Sequence, residues 1–153
     1  MKVDVKTEQR KFWKIFDEKL IENGEPFSIL HEKSGEITYY GVINKVHSFV
    51  DNALSVDFLV REQKVRLNIY VRDDLALCNV LEKHRTEIES AVSVPLHWIK
   101  GIKNLNTRRI AYFVPVKVGD DSQYDEVIDD ILPIIIEMKK ICETYARFDF
   151  FDF

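Results

Sequence analysis

Asp57 and the run Glu62-Gln63-Lys64 have the order of the Asp and Glu-x-Lys residues that metal-dependent nucleases use. In such sites two carboxylates hold a divalent cation and a lysine assists the attacking water. Those nucleases place Glu-x-Lys in a strand, whereas here it falls at the predicted polar turn of a hairpin. The sequence therefore favours a protein without catalytic residues. A nuclease-like metal-dependent enzyme using Asp57, Glu62 and Lys64 is the alternative.

No other residue pattern predicts a metal or cofactor site. The four histidines lack close metal-ligand spacing, and the two cysteines do not form a Cys-x-x-Cys pair. The five glycines occur singly, so the chain has no glycine-rich phosphate loop. Cys78, Cys142 and His84 fall at apolar helix positions and are expected in the core. We predict neither a metal nor a cofactor.

Basic residues are concentrated in residues 91–119, which contain five of them and no acidic residue. Four are candidates for contact with nucleic acid or another anion: Lys100, Lys103, Arg108 and Arg109. Such side chains bind phosphates. Alternatively, the charges solvate a hairpin tip and pair with the acidic start of the next helix. The net charge of -4 favours this second interpretation, so nucleic-acid binding is an alternative that is not favoured.

Aromatic residues indicate a different kind of contact. The segment from Phe148 to Phe153 interleaves four phenylalanines with two aspartates, which is typical of a peptide that docks in a basic, apolar groove. The helical spacing that precedes it reaches Asp149, so packing on the domain's own core is expected to end near Phe148. Residues 149–153 are therefore predicted to be an exposed tail, with Phe150, Phe151 and Phe153 available to a second copy or another partner. A frayed helix end that packs onto its own domain is the alternative. Trp13 and Trp98 lie among apolar neighbours and are expected to pack in the core.

The elements that position these residues begin with a hairpin. Apolar and polar residues alternate from Ala53 to Val60 and from Val65 to Arg72, with the turn at Arg61 to Lys64. Turn residues Asp51-Asn52 predict a tight turn before the first of these strands. One or two further strands are expected in residues 27–50, the last near residues 45–50.

Helices are predicted on both sides of the hairpin. Thr7 is expected to cap a helix that runs to about Asn23, with Gly24 as its stop. After the hairpin, Asp73 or Asp74 caps a helix whose apolar positions run from Leu77 to Val92, and Pro95 prevents its continuation. Two strands then follow, around residues 96–98 and 110–114. A long last helix starts near Asp121 or Ser122, carries apolar residues at alternating steps of four and three, and is expected to kink at Pro133.

The predicted order is helix, three strands, helix, two strands, helix. Adjacent strands joined by short turns predict an α+β fold, with a mainly antiparallel sheet of about five strands and three helices on one face. Residues 1–153 are expected to form a single domain. This order is similar to that of secretion chaperones that cradle a partner peptide, which gives a chaperone-like homodimer as a third interpretation.

Four sequence segments carry a resemblance to a known family. They are the runs Val65–Asp74 and Leu81–Glu89, the tripeptide Leu96-His97-Trp98, and the basic run Thr107–Ile110. Together they resemble the prokaryotic family known as domain of unknown function 4268. The resemblance implies a link to DNA processing or defence, because that domain often accompanies nuclease-like modules, but it supplies no catalytic residue. Val92-Ser93 departs from the family pattern, which commonly has a glycine there.

The sequence also indicates where the protein is expected to act. The sequence has no apolar run near the ~18 residues of a membrane span, and its start lacks an apolar signal region. We expect a cytoplasmic protein that does not act at a membrane. The sequence thus predicts an accessory interaction module with a protein partner or a homodimer, associated with DNA processing or defence, and favours a non-enzymatic function.

Overall fold

The first and last helices of the chain pack on each other. The computed structural model describes the backbone of residues 3–23, 29–33, 36–46 and 49–146, and the side chains of residues 3–23 and 52–145. Helix α1 spans Val5–Glu22 and helix α4 spans Asp121–Ile141, followed by a π-helical turn at Cys142–Ala146. Lys19 Nζ joins them by lying 3.1 Å from Asp125 Oδ1 and 2.5 Å from Asp129 Oδ1.

Six strands form one antiparallel sheet in the described part of the chain. Their order across the sheet is β1-β2-β3-β4-β6-β5. The strands are β1 Ile29–Lys33, β2 Glu36–Val46, β3 Phe49–Leu59, β4 Lys64–Val71, β5 His97–Lys100 and β6 Arg108–Pro115. The predicted α+β class and antiparallel sheet are therefore confirmed, and the predicted five strands become six.

Two short helices separate β4 from β5. Helix α2 spans Leu75–Lys83 and helix α3 spans Arg85–Ala91, where the sequence predicts one helix. The break falls at His84, whose backbone N–H donates to both Val80 O and Leu81 O at 3.2 Å. This bifurcated bond tightens the last turn of α2. The fold thus has four described α-helices instead of three.

The core lies between one face of the sheet and all four helices. Every second residue of the central strands is apolar and points to this face. These residues are Leu54, Val56 and Phe58 of β3, Val65, Leu67, Ile69 and Val71 of β4, and Ile110 of β6. Helix residues pack against them, including the predicted register from Tyr124 to Met138 in α4 and Cys142 in the π-helical turn. This alternation is what places Ser55, Asp57, Arg66 and Asn68 together on the second face.

Three local predictions are wrong. Asp4, not Thr7, is the N-cap of α1, because the Asp4 side chain accepts from Thr7 N at 3.1 Å. Asp51-Asn52 does not form a turn but lies within β3, where Asn52 pairs with Asn44 and Val71. The strand expected near residues 45–50 is instead the end of β2 and the start of β3. The Gly24 stop lies outside the described residues.

Candidate interaction surface

A closed loop at residues 101–107 connects β5 to β6. Gly101 N donates to Thr107 O at 3.0 Å, and Thr107 N donates to Asn104 O at 3.2 Å. Asn106 N donates to Asn104 Oδ1 at 3.0 Å. A Cβ added at Gly101 would lie 2.3 Å from Asn104 O, far inside van der Waals contact. The close approach of the loop backbone therefore requires glycine at this position.

The start of α2 anchors this loop. Asp74, whose side chain caps α2 by accepting from Leu77 N at 3.0 Å, donates its own backbone N–H to Asn106 O at 3.1 Å. Cys78 Sγ lies 3.1 Å from the same oxygen. Asp73 N donates to Thr107 Oγ1 at 3.1 Å. The loop is therefore held in one conformation both by itself and by the helix beside it.

Apolar side chains project from this anchored loop into solvent. Ile102 is 95% exposed, Leu105 58% and Ile99 of β5 42%. Lys100 and Lys103 are also exposed. We call these five residues, Ile99, Lys100, Ile102, Lys103 and Leu105, the hairpin-tip surface. Burying a large aliphatic side chain contributes roughly 1.5–3 kcal/mol, so these three contribute little to folding and could contribute to binding.

The four basic residues proposed as an anion contact divide into two pairs. Lys100 and Lys103 have no ion-pair partner among the described residues. Arg108 turns back toward the protein, with Nε 3.7 Å from Glu82 Oε1 and Nη1 donating to Leu105 O. Arg109 donates to Asn68 Oδ1 and stacks over the Tyr70 ring, 4.8 Å from its centre. The structure thus leaves two lysines, not four cations, on the hairpin-tip surface.

Asp57 belongs to a polar cluster on the second face of the sheet. Its Oδ2 lies 2.9 Å from Arg66 Nη2 and accepts from Asn68 Nδ2 at 3.2 Å. Asn68 is fully buried and also donates to Ser55 Oγ at 2.5 Å. The Asp57 carboxylate is therefore neutralised by Arg66 and hydrogen-bonded by Asn68, so Asp57 and Arg66 form a structural ion pair.

The other two residues of the nuclease-like alternative do not join Asp57 in this cluster. Glu62 is exposed in the β3–β4 turn, and Lys64 Nζ lies over the Phe113 ring, 4.7 Å from its centre. In the part of the chain that the structure describes, no three His, Cys, Asp or Glu residues are grouped to hold a metal ion. The arrangement shows no shared cation site for Asp57, Glu62 and Lys64.

Both cysteines are free and buried, as predicted. Burial raises the pKa of the Cys78 thiol, and burial likewise raises the pKa of the Cys142 thiol. The thiolate is the reactive form of cysteine. Neither side chain is therefore suited to nucleophilic chemistry at neutral pH.

His84 and the two tryptophans have structural surroundings. His84 lies at the α2–α3 junction, where its ring is 5.0 Å from the Tyr145 ring, and its side chain is 35% exposed instead of buried. Trp13 is a core residue, as predicted. Trp98 is partly buried, and the Arg85 guanidinium lies 5.0 Å from its ring centre. Arg85 therefore covers one face of this ring.

The sequence did not predict the exposed aliphatic residues of the hairpin-tip surface. The available signal was three aliphatic residues spaced three apart, Ile99, Ile102 and Leu105, in an otherwise polar loop. Phe150, Phe151 and Phe153 of the predicted docking tail lie outside the described residues. None of the described helices combines the length and apolar character needed to cross a bilayer.

Comparison with known proteins gives a family. The profile described as Domain of unknown function (DUF4268) matches residues 8–146, which include the hairpin-tip surface and the polar cluster. The chain belongs to this family. The description of DUF4268 assigns no activity to the domain.

Other comparisons add little. A search of curated proteins gives no match for this DUF4268 chain. Among solved structures, the chain is similar to the crystal structure of YbjN, "a putative transcription regulator from E. coli", with a TM-score of 0.42 and 9% sequence identity. The match covers 86% of this chain and 93% of that chain.

Proposed function

We propose that this domain is a non-enzymatic accessory module that binds an extended segment of a protein partner at the hairpin-tip surface. The observation that carries the proposal is Ile102, which is 95% exposed on a loop fixed by hydrogen bonds. Single exposed apolar residues are ordinary, but an apolar group with a polar rim is typical of an interaction site. A loop that is already ordered also loses less conformational entropy on binding.

The position of β5 indicates how a segment would bind. Strand β5 is an edge of the described sheet, next to β6 alone. An edge strand offers unpaired backbone N–H and C=O groups, to which an extended peptide can add as a further strand. The neighbouring Ile102 and Leu105 would then contact alternate side chains of the added segment.

The alternatives have weaker support. A nuclease-like enzyme would need Asp57 free to hold a cation, but Asp57 is paired with Arg66. Nucleic-acid binding would rest on Lys100 and Lys103 in a chain of net charge -4. A chaperone-like homodimer is compatible with the same surface. The association with DNA processing or defence rests on the family resemblance, and the cytoplasmic location is a prediction from the sequence. Both form part of the proposal.

A selection from a peptide library tests this function. The unmodified protein serves as target, and a variant carrying Ile102→Ser and Leu105→Ser serves as counter-target. Because both side chains are exposed, the variant should keep its melting temperature within about 2 °C, since surface substitutions rarely change stability by more than ~0.5 kcal/mol. We expect enriched peptides that bind the unmodified protein at least tenfold more tightly than the variant. Peptides that bind both equally would contradict the proposal.

The nuclease-like alternative has its own test. Pure protein incubated with DNA and RNA in the presence of magnesium or manganese is expected to cleave neither. Metal-dependent cleavage that Glu62→Gln abolishes would establish the enzyme and remove the proposal of a non-enzymatic module.

A further inference from the structure

The chain itself contains a segment whose chemistry fits the hairpin-tip surface. Residues 148–153 interleave four phenylalanines with two aspartates in the order Phe-Asp-Phe-Phe-Asp-Phe. The hairpin-tip surface offers three aliphatic side chains and the two lysines Lys100 and Lys103, which have no ion-pair partner among the described residues. Phenylalanine rings would bury the aliphatic residues, and the two aspartates would neutralise the two lysines.

The lysines also restrict which partner the edge strand accepts. A charged residue on an edge strand discourages the same edge of another copy from pairing with it. Direct β5-to-β5 pairing would bring the Lys100 and Lys103 side chains of both copies into one small region. An acidic segment meets no such repulsion and gains from the same charges.

The structure places the origin of this segment at the opposite end of α2 from the hairpin-tip surface. Tyr145, near the end of the described chain, packs on His84 at the C-terminal end of α2. The loop at residues 101–107 is anchored at the N-terminal end of α2, through Asp74. Helix α2 has nine residues, so these two ends are about 14 Å apart at ~1.5 Å per residue.

This separation favours binding between copies. Within one copy, about four residues at ~3.3 Å each would be needed to cross the length of α2. Residues 147–150 would then span the gap, and Phe148 and Phe150 could not contact the surface. A segment from a second copy has no gap to cross, so all six residues 148–153 are available.

We infer that the hairpin-tip surface of one copy binds residues 148–153 of a second copy. In a two-fold dimer each copy provides one segment and receives the other, so the contact is made twice. This inference rests on the proposed function, because it names the occupant of the same surface.

A charge-exchange experiment on the full chain tests the inference. Sedimentation velocity over a hundredfold range of protein concentration measures self-association. The surface variant carries Lys100→Glu and Lys103→Glu, and the segment variant carries Asp149→Lys and Asp152→Lys. Each variant alone should weaken self-association at least tenfold. In a mixed dimer of the two variants both contacts are complementary, because the glutamate surface meets the lysine segment and the unmodified lysine surface meets the unmodified aspartate segment. An equimolar mixture should therefore associate more tightly than either variant alone. A control carrying Lys14→Glu and Lys140→Glu has the same net charge as the surface variant and should associate like the unmodified protein.

Several outcomes would overturn the inference. A chain that stays monomeric at every concentration would overturn it. In that case an altered melting temperature of the segment variant would indicate that the segment binds within its own copy. Equal weakening by the control would show a general charge effect. Loss of salt-dependent binding to a DNA duplex in the surface variant, without a change in self-association, would assign the lysines to nucleic acid. If the peptide selection succeeds while charge exchange fails, the proposed function stands and only the second-copy occupant is wrong.

Discussion

The hydroxyl of Tyr124 connects the two helices that close the core, and its removal has a calculable cost. Tyr124 is fully buried. Its hydroxyl donates to Glu8 Oε1 at 2.7 Å and accepts from Gly119 N at 2.8 Å. Tyr124→Phe keeps the ring, which contacts the rings of Phe12 and Phe58, and removes both hydrogen bonds.

The expected loss in the free energy of unfolding is about 2–3 kcal/mol. A hydrogen bond to a charged group contributes roughly 1.5–3 kcal/mol, and a neutral one contributes roughly 0.5–1.5 kcal/mol. The sum is reduced because Gly119 N is only partly buried and water can replace the lost oxygen. For a chain of this size the melting temperature should fall by roughly 4–12 °C.

Urea denaturation at neutral pH measures this loss, with Glu8→Gln as the matched control. Glutamine keeps an acceptor oxygen for Tyr124, so Glu8→Gln should cost less than Tyr124→Phe. In a double-mutant cycle the two changes should be non-additive, because Glu8→Gln weakens the same hydrogen bond that Tyr124→Phe removes. A Tyr124→Phe cost below about 0.5 kcal/mol, which is within the range of neutral surface changes, would refute the assignment of a stabilising buried hydrogen bond.

The same hydroxyl predicts how stability depends on alkaline pH. Burial raises the pKa of Tyr124 above its usual value, and the hydrogen bond to Glu8 adds to the increase. The folded state therefore favours the neutral phenol. Its contribution is fully present below the unfolded pKa of about 10 and is lost as the pH rises above it. Tyr124→Phe should remove this part of the loss measured between pH 9 and pH 11, and an unchanged profile would contradict it.

Three further predictions concern other parts of the molecule. Gly101→Ala should lower the free energy of unfolding by about 1–3 kcal/mol, since its Cβ would overlap Asn104 O. Urea denaturation measures this loss, with Lys103→Ala as the control. Unchanged stability would show that the loop opens freely. Cys78 and Cys142 should react with a disulfide reagent at pH 8 much more slowly than after denaturation, because burial raises both pKa values, whereas equally fast reaction would show that the core is accessible. Arg66→Gln should destabilise the fold by about 1–2 kcal/mol, because Asp57 would lose its ion-pair partner at a partly screened site; a stabilised variant in thermal melting would show that the pair is unfavourable.

The sequence predicted elements where one periodic pattern decided the outcome. The hairpin β3–β4, the cap at Asp74, the start of α4 near Asp121 and the register of α4 all follow from spacing and capping chemistry. The break between α2 and α3 was not predictable in this way, because Leu81 and Ile88 keep helical spacing on both sides of His84. Spacing indicates which face is apolar but does not reveal a local change in the hydrogen-bond pattern.

Two other errors arise where residue preference and tertiary pairing disagree. Asp51 and Asn52 favour turns, but here β3 is long enough to pair with both β2 and β4, and Asn52 Oδ1 accepts from Arg72 N at 3.3 Å. Pairing on two sides satisfies the backbone better than a turn would. At α1, Asp4 and Thr7 are both capping residues, and only the structure shows that Thr7 is already inside the helix.

The candidate surface was only partly predictable for a related reason. Charge counting groups Lys100, Lys103, Arg108 and Arg109 in one region of the sequence. It could not show that Arg108 lies beside Glu82 or that Arg109 donates a hydrogen bond to Asn68. The destination of a long side chain depends on neighbours from distant parts of the chain, so the exposed apolar residues beside the two lysines became apparent only in three dimensions.

The polar cluster on the second face of the sheet supplies information that the apolar face lacks. If β4 slid by two residues along β3 so that Val71 lay opposite Leu54, then Leu54, Val56 and Phe58 would still face apolar partners, so hydrophobic matching alone tolerates this error. In the observed alignment Asp57 lies opposite Arg66 and Ser55 opposite Asn68. Sliding one way sets Arg66 opposite Leu59, and sliding the other way sets it opposite Ser55. In either case Arg66 no longer lies opposite Asp57. Asp57 and Arg66 thus help to specify the register of β3 and β4. Their joint replacement by apolar residues should yield a protein that folds with a mixture of registers.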